Sequence, residues 1–368
     1  MLEWEPMILR GVVALAAVLA GVGVPGVAAA AAAGSEGQRV CKVTDDRLTE
    51  LSGLAATGSG YVAIDDGSDD GSHRKIFYLD GRCKVDRTVA YPSRPRDTED
   101  LGIAADGTLW VADIGDNDAK RATIALWRLA PGAKTPVLFR LAYPDGPHNA
   151  EALLLGADGT PVIVTKTIAA AGLYIPAGTL RAGKTTALKQ AGSVALPMTT
   201  TSNPFDFAGR LVVTGGAVSP DGRHVVLRTY ADAFEFEVPG GDLVKAITDG
   251  TPTPIAMPDE PQGESVCYTP DGTALLTVSE KSGGKPVEIL RYALPDRAPA
   301  TTSPATTSPA TTSPATTSPA ATKATTPPTT KTASQQAGDG VPLGLLATGG
   351  VLLLAAVVLG GVLLRRRS

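Results

Sequence analysis

Between residues 38 and 297, short runs rich in Val, Leu, Ile and aromatic residues alternate with polar turns. LGIAADGTLWVAD, ALLLGADGTPVIVTK, GAVSPDGRHVVLRTY and SVCYTPDGTALLTVSE each place Asp-Gly between two apolar runs. Both residues of that pair tolerate positive φ, so each segment predicts a β-hairpin. No amphipathic helical period of about 12 residues or more intervenes. The pattern predicts an all-β domain over 38–297.

The hairpins recur. Their turn aspartates stand at 106, 158, 221 and 271, and LSGLAATGSGYVAIDD fits one place earlier, giving a spacing of about 50 to 60 residues. That period suits one four-stranded β-propeller blade per repeat, and radial repetition removes long exposed sheet edges. Six blades are expected, within a range of five to seven. Closing the ring would pair a strand at 39–43 with one at 287–292. The alternative is a β-sandwich or two-sheet assembly.

Both ends of the 368-residue chain differ from this domain. Residues 1–33 combine Arg10, an Ala/Val/Leu/Gly core and small residues, the make-up of a secretory signal, with Met7 as a second possible start. Residues 299–318 are four perfect copies of Pro-Ala-Thr-Thr-Ser. The tract 298–340 is too poor in apolar residues to form a core and predicts an extended stalk. Residues 341–364 carry no charge and are long enough to cross a bilayer, with Arg365, Arg366 and Arg367 in a basic cytoplasmic tail, 365–368. These segments predict a domain outside the cell, held at the membrane by one C-terminal helix. Leu345-Leu346-Ala347-Thr348-Gly349 resembles a degenerate sortase signal, and wall attachment is the alternative.

The formal charge of −4 argues against a nucleic-acid partner. Export permits disulfides. Of Cys41, Cys83 and Cys267, the first two share similar settings (VCKV and RCKV) and form the favoured pair; three free thiols are the alternative.

Acidic residues bracket the hairpins. Glu50, Glu99, Glu151 and Glu264 stand at their starts, and Asp65 with Asp66, Asp113, Lys166 and Glu280 at their ends, 14 to 16 residues on. The start of one antiparallel strand and the end of the next share a rim. A radial array would therefore gather these groups at one channel mouth. Glu50, Glu99, Asp113, Glu151, Lys166, Glu264 and Glu280 are the candidate ligand-binding residues. Glu50, Glu99, Glu151 and Glu264 are the candidate metal ligands. Crowded carboxylates repel one another unless a cation sits among them, and calcium is the candidate for an oxygen-only set. A structural network of carboxylates with backbone N–H groups, Lys166, Arg121 and Arg228 is the competing reading.

Other chemistry is poorly supported. DDGSDDG (65–71) begins like an EF-hand loop but has Phe77 where the bidentate Glu belongs. The oxygen-rich loop at Asp113, Asp116, Asn117 and Asp118 is similar in kind. GTLRAGKT (178–185) matches a phosphate loop, yet no helix pattern follows, so no nucleotide is expected. There is no G-x-S-x-G elbow and no H-E-x-x-H. His148 lies within reach of the rim, but a solvated loop histidine is the simpler reading. Ser52 reads as a turn cap.

ELSGLAATGSGYVAIDD, DTEDLGIAADGTLWVADIGDND, HNAEALLLGADGTPVIVTK, VSPDGRHVVLRTY and QGESVCYTPDGTALLTVSE together resemble exported bacterial β-propeller proteins. That group is distantly similar to the propeller family named for the esterase-like activity of phytase, and more remotely to calcium-dependent lactonases. The resemblance spans about residues 40–292 and implies that Glu50, Glu99, Glu151 and Glu264 line the channel mouth. Two functions remain open. One is a monomeric, surface-displayed module that binds an extracellular ligand, glycan or protein. The other is a calcium-assisted hydrolase of an ester, lactone or phosphoester, with a channel carboxylate as general base.

Overall fold

The structure, a computed structural model, describes residues 36–294 except 283 and 285. The expected leader, stalk, apolar C-terminal segment and basic tail lie outside the described residues. Within them, no helix is long and apolar enough to cross a membrane.

The fold is nearly all β. After β1 (Gln38–Val43), four consecutive strands form a meander: β2 (Leu51–Thr57), β3 (Gly60–Asp65), β4 (Lys75–Asp80) and β5 (Val85–Ala90). The same order repeats in β6 (Asp100–Ile103), β7 (Leu109–Asp113), β8 (Ile124–Leu129) and β9 (Val137–Ala142). It repeats again in β10 (Ala150–Leu155), β11 (Pro161–Thr165), β12 (Ala171–Pro176) and β13 (Thr185–Val194). The fourth group is β14 (Gly215–Val218), β15 (His224–Arg228), β16 (Asp232–Glu237) and β17 (Thr253–Ala256). The last is β18 (Gly263–Tyr268), β19 (Ala274–Ser279) and β20 (Val287–Ala293), completed by β1. The closing pair is antiparallel, with Val43 opposite Val287 and Gln38 opposite Arg291, as the sequence pattern predicts.

The first strands of successive groups touch in the cyclic order β2, β6, β10, β14, β18 and back to β2. Five apolar clusters fill the spaces between neighbouring groups, one per interface. This is the radial arrangement of a β-propeller. Six repeats were expected; the described strands make five groups of four, because long outer connections take up much of the chain.

Burial follows from this geometry. Strands near the axis are covered on both faces, so β10, β11, β18 and β19 are buried throughout. Outer strands such as β5 and β9 are partly exposed. One outer edge is covered by parallel pairing of β13 with β9, which joins the second and third groups into an eight-stranded sheet. A short helix, α1 (Leu243–Asp249), is capped by Asp242 and buries Leu243, Ala246 and Ile247 against the core.

The Asp-Gly turns form in a different way from the one expected. Gly107, Gly159, Gly222 and Gly272 have φ between 69° and 80°, but the preceding aspartates do not have positive φ. Instead each carboxylate accepts the N–H two residues on, as Asp106 does from Thr108 at 2.9 Å. Only the glycine needs the left-handed region, and the aspartate serves as an acceptor. GTLRAGKT forms the loop joining β12 to β13, with no helix to cradle phosphate.

Cys41 and Cys83 form a disulfide with 6.0 Å between Cα atoms. It ties the closing strand β1 to the turn between β4 and β5, across the last-to-first interface. Cys267 is a buried free thiol.

Candidate functional site

The innermost strands carry matching irregularities at one end. Pairing slips at Leu51/Gly53, Ala150/Ala152 and Gly263/Ser265, leaving Ser52, Glu151 and Glu264 as extra residues. In β6, Ala112 accepts from Glu99 N–H at 2.9 Å and also pairs with Asp100. In β14, Arg228 likewise receives Thr214 N–H at 2.8 Å and pairs with Gly215. The five equivalent positions are therefore Ser52, Glu99, Glu151, Thr214 and Glu264. A bulge bends the strand and re-aims its side chain, and here that gathers these residues around the axis. Where the residue is a hydroxyl it links neighbours: Ser52 donates to Thr98 O at 2.7 Å and Thr214 to Gly263 O at 2.8 Å.

A cavity of about 260 Å³ opens at this end. Asp66, Glu99, Glu151, Glu264 and Glu280 border it, and Lys166 is the one cationic side chain among its described lining residues. Ser52, Asn117, Asn149 and Gln262 add neutral polar groups, while Ile168, Phe205, Val212 and Tyr230 make an apolar wall. Beneath it, Asp100 is fully buried and accepts from Leu101 N–H and Leu153 N–H, each at 2.8 Å. Burial pushes the Asp100 carboxyl well above the usual range, against the pull of those N–H groups.

One oxygen each from Asp66, Asp97 and Glu99 can lie within 4.8 Å of one another. Their convergence depends on Gly115, where a Cβ would fall on Glu99 Oε1 and Asp97 Oδ2. Asp113 anchors Asp97 and its neighbour, accepting Arg96 N–H and Asp97 N–H at 3.1 Å each. Burial and neighbouring negative charge push Asp66 and Glu99 well above the usual carboxylate range. The set offers only hard oxygen donors, which suits calcium, magnesium or manganese rather than zinc or copper.

In the neighbouring strand group, Glu151 is hydrogen-bonded to Glu99 through its side chain, and Lys166 Nζ pairs with Glu151 Oε1 at 3.0 Å and lies 5.1 Å from the Tyr230 ring centroid. Burial raises the Glu151 carboxyl to about 7, against the opposing pull of Lys166. The Lys166 ammonium is held well above its usual range: Glu151, Tyr230 and Glu264 outweigh the lowering effect of burial, the largest single influence. Tyr230 OH donates to Glu264 Oε1 at 3.3 Å, while the buried Glu264 Oε2 has no hydrogen-bond partner.

Five of the seven candidate residues, Glu99, Glu151, Lys166, Glu264 and Glu280, thus border one cavity. Two do not. The Glu50 side chain is exposed, because it precedes the bulge residue Ser52 by two positions; its carbonyl, which accepts Asp66 N–H at 2.7 Å, matches those of Asn149 and Gln262. Asp113 is buried behind the cavity wall and is also engaged by Arg121 at 2.8 Å and Trp127 Nε1 at 3.3 Å. Of the four candidate metal ligands, only Glu99 belongs to the converging carboxylate group. Glu151 is held by Lys166 and Asn149, and Glu264 by Tyr230. His148 sits outside the cavity lining, bonded to Tyr174 OH and Asp145 at 3.1 and 3.0 Å.

Asp66 stands at a hairpin end in the sequence but outside the expected ligand set, and Asp97 lies two residues before the glutamate that marks its repeat. Phe205 and Val212 come from an irregular connection with no repeat to mark it.

These features define a β-propeller with a predominantly acidic cavity at one end of its axis. No family model and no curated protein matches the chain. Among solved structures it is similar to a streptogramin B lyase (12% identity, TM-score 0.34), covering 66% of this chain and 65% of the lyase. A gluconolactonase from Xanthomonas campestris is 17% identical with TM-score 0.37, covering 70% of this chain and 79% of that one. The PQQ-bound aldose sugar dehydrogenase of Streptomyces coelicolor is 11% identical with TM-score 0.36, covering 70% and 96%. At such scores the propeller assignment rests on the strand order and interfaces described above.

Proposed function

We propose that this protein is a five-bladed propeller displayed outside the cell, whose axial cavity binds a hard divalent cation and an external ligand. Calcium is the candidate metal, with Asp66, Asp97 and Glu99 as its protein ligands. The convergence of their oxygens within 4.8 Å carries this reading. The cavity's excess of carboxylates over its single lysine supports it, as does the cradle left by Gly115. Five groups of strands and five apolar interfaces support five blades. The leader, stalk and apolar segment support a single-pass anchor with a cytoplasmic C-terminus, sortase attachment being the alternative. The partner is an extracellular small molecule, glycan or protein, the acidic charge disfavours nucleic acid, and the propeller acts as a monomer.

Calorimetric titration of the full chain with calcium tests the metal site. One saturable site is expected, weakened at least ~10-fold in Asp97→Asn and Glu99→Gln. Absence of saturable binding in the unsubstituted protein overturns it.

The placement of Glu151 in the same cavity as two of the candidate metal ligands, Asp66 and Glu99, favours a second reading: hydrolysis of an ester, lactone or phosphoester. Bound calcium would supply polarisation of a substrate oxygen, and Glu151 would accept a proton from water. Turnover of any such substrate, lost in Glu151→Gln, would favour it over the binding module.

A further inference from the structure

We infer that the side of the cavity facing the fourth and fifth strand groups takes an organic ammonium with an apolar body, held by Glu264 and packed on Phe205 and Tyr230. This deepens the binding-module reading by naming a ligand class, and it rests on that reading. The metal candidates Asp66, Asp97 and Glu99 belong to the first two groups; Tyr230 and Glu264 belong to the fourth and fifth.

Glu264 supplies the central observation. It is only 5% exposed, borders the cavity, and has one buried oxygen with no partner. A buried carboxylate oxygen without a donor is costly, and an N–H from a cationic ligand supplies one with charge assistance. The other oxygen is positioned by Tyr230 OH. Lys166 does not fill the role: it is paired with Glu151, and Glu264 Oε2 remains without a hydrogen bond.

The adjoining wall defines the rest of the ligand. Phe205 and Tyr230 lie with ring centroids 4.3 Å apart, and Ile168, Ala208 and Val212 extend the apolar surface to the opening. Ile168 keeps 43% of its surface exposed. The Phe205 face attracts organic cations, whereas the Tyr230 ring already has Lys166 Nζ 5.1 Å from its centroid and contributes apolar contact. A hydrated inorganic ion would leave this wall unused, and an apolar anion would meet the surrounding carboxylates. An apolar amine satisfies both surfaces.

Phenethylamine is the probe, titrated calorimetrically into the full chain in EDTA, so that the outcome does not depend on a metal. 3-Phenylpropionate supplies the same body with opposite charge, and 2-phenylethanol a neutral control. Saturable binding of the amine alone is expected. Glu264→Gln should weaken it by ~10- to 100-fold, and Phe205→Ala by ~10-fold. Asp97→Asn should leave it unchanged while removing calcium binding, which separates failure of this inference from failure of the metal reading. Near-native thermal unfolding of Phe205→Ala keeps the test valid even if Glu264→Gln folds poorly. No saturable amine binding, equal or tighter binding of either control, or a loss caused by Asp97→Asn in place of the Glu264 and Phe205 variants overturns the assignment.

Discussion

Raising the pH from about 5 to about 8 in EDTA should destabilise this protein, and calcium should counter that loss. Glu151 is 3% exposed. Burial lifts its carboxyl from 4.5 to about 7, with the charge of Glu264 acting in the same direction. Between those values the folded chain retains a proton that the unfolded chain has released. The associated stability is present in full below the unfolded value and is lost as pH rises through the folded one. The shift corresponds to at most about 3 kcal/mol. Asp66, Glu99 and Asp100 move in the same direction, burial being the largest cause for each. Turn aspartates such as Asp80 and Asp106 are held low by backbone N–H groups, so their opposite contribution falls at more acidic pH.

Urea unfolding followed by tryptophan fluorescence provides the assay, with the fully packed Trp127 as an internal reporter. In EDTA the midpoint should fall across this pH range. With saturating calcium it should fall less or rise, because the cation replaces protons among the carboxylates. A level or rising midpoint in EDTA would mean that the cavity acids are already ionised in the folded state. That result would refute the account of their electrostatics given above.

Three further outcomes follow from the geometry. Gly115→Ala should weaken calcium binding at least ~10-fold in calorimetry and lower stability by about 1–3 kcal/mol in urea unfolding, since the added methyl must displace the buried Glu99 carboxylate and that of Asp97. Reducing the Cys41–Cys83 disulfide, which closes a 42-residue separation, should cost up to about 4 kcal/mol in urea unfolding on the chain-entropy estimate. Glu260→Gln should cost about 3–5 kcal/mol by the same assay, because the fully buried Arg228 would lose its charged partner.

The hairpins and the closing strand pair were legible because each depends on local chemistry: an apolar run, an Asp-Gly turn and a second apolar run. The site was legible only in part. Glu99, Glu151 and Glu264 occupy equivalent bulges, and their shared glutamate marks the repeat. In the first group that position is Ser52, while an unrelated glutamate stands two residues earlier, so matching by residue type selected Glu50. Intervals of 14 to 16 residues cannot resolve a two-residue offset, because the turns differ in length. Thr57 and Gly60 enclose a two-residue turn, whereas Ile103 and Leu109 enclose five residues. Asp113 departs from the expectation for another reason: a carboxylate at a strand end looks alike in sequence whether it faces the cavity or receives N–H groups from the segment leading into the neighbouring strand. The contribution of Phe205 depends on an irregular connection folding back over the ring, which no local pattern encodes.

The bulges explain why charge collects at one end of this ring. A regular strand buried on both faces has little room for a carboxylate, and the fully buried β11 and β19 carry none, only apolar and hydroxyl side chains. An extra residue at the strand's start leaves the ladder and turns toward the axis, where neighbouring groups present the same opening. A glutamate there loses hydration and must find a donor or a cation. The positions are filled unequally: Ser52 and Thr214 use a hydroxyl to tie one group to the next, Glu151 takes Lys166, and Glu99 joins two aspartates over Gly115. Glu264 alone among these five positions retains a fully buried oxygen with no hydrogen-bond partner. The repeat supplies five equivalent sites, and it is their unequal filling that makes one side of the cavity suited to a metal ion and the other to an organic cation.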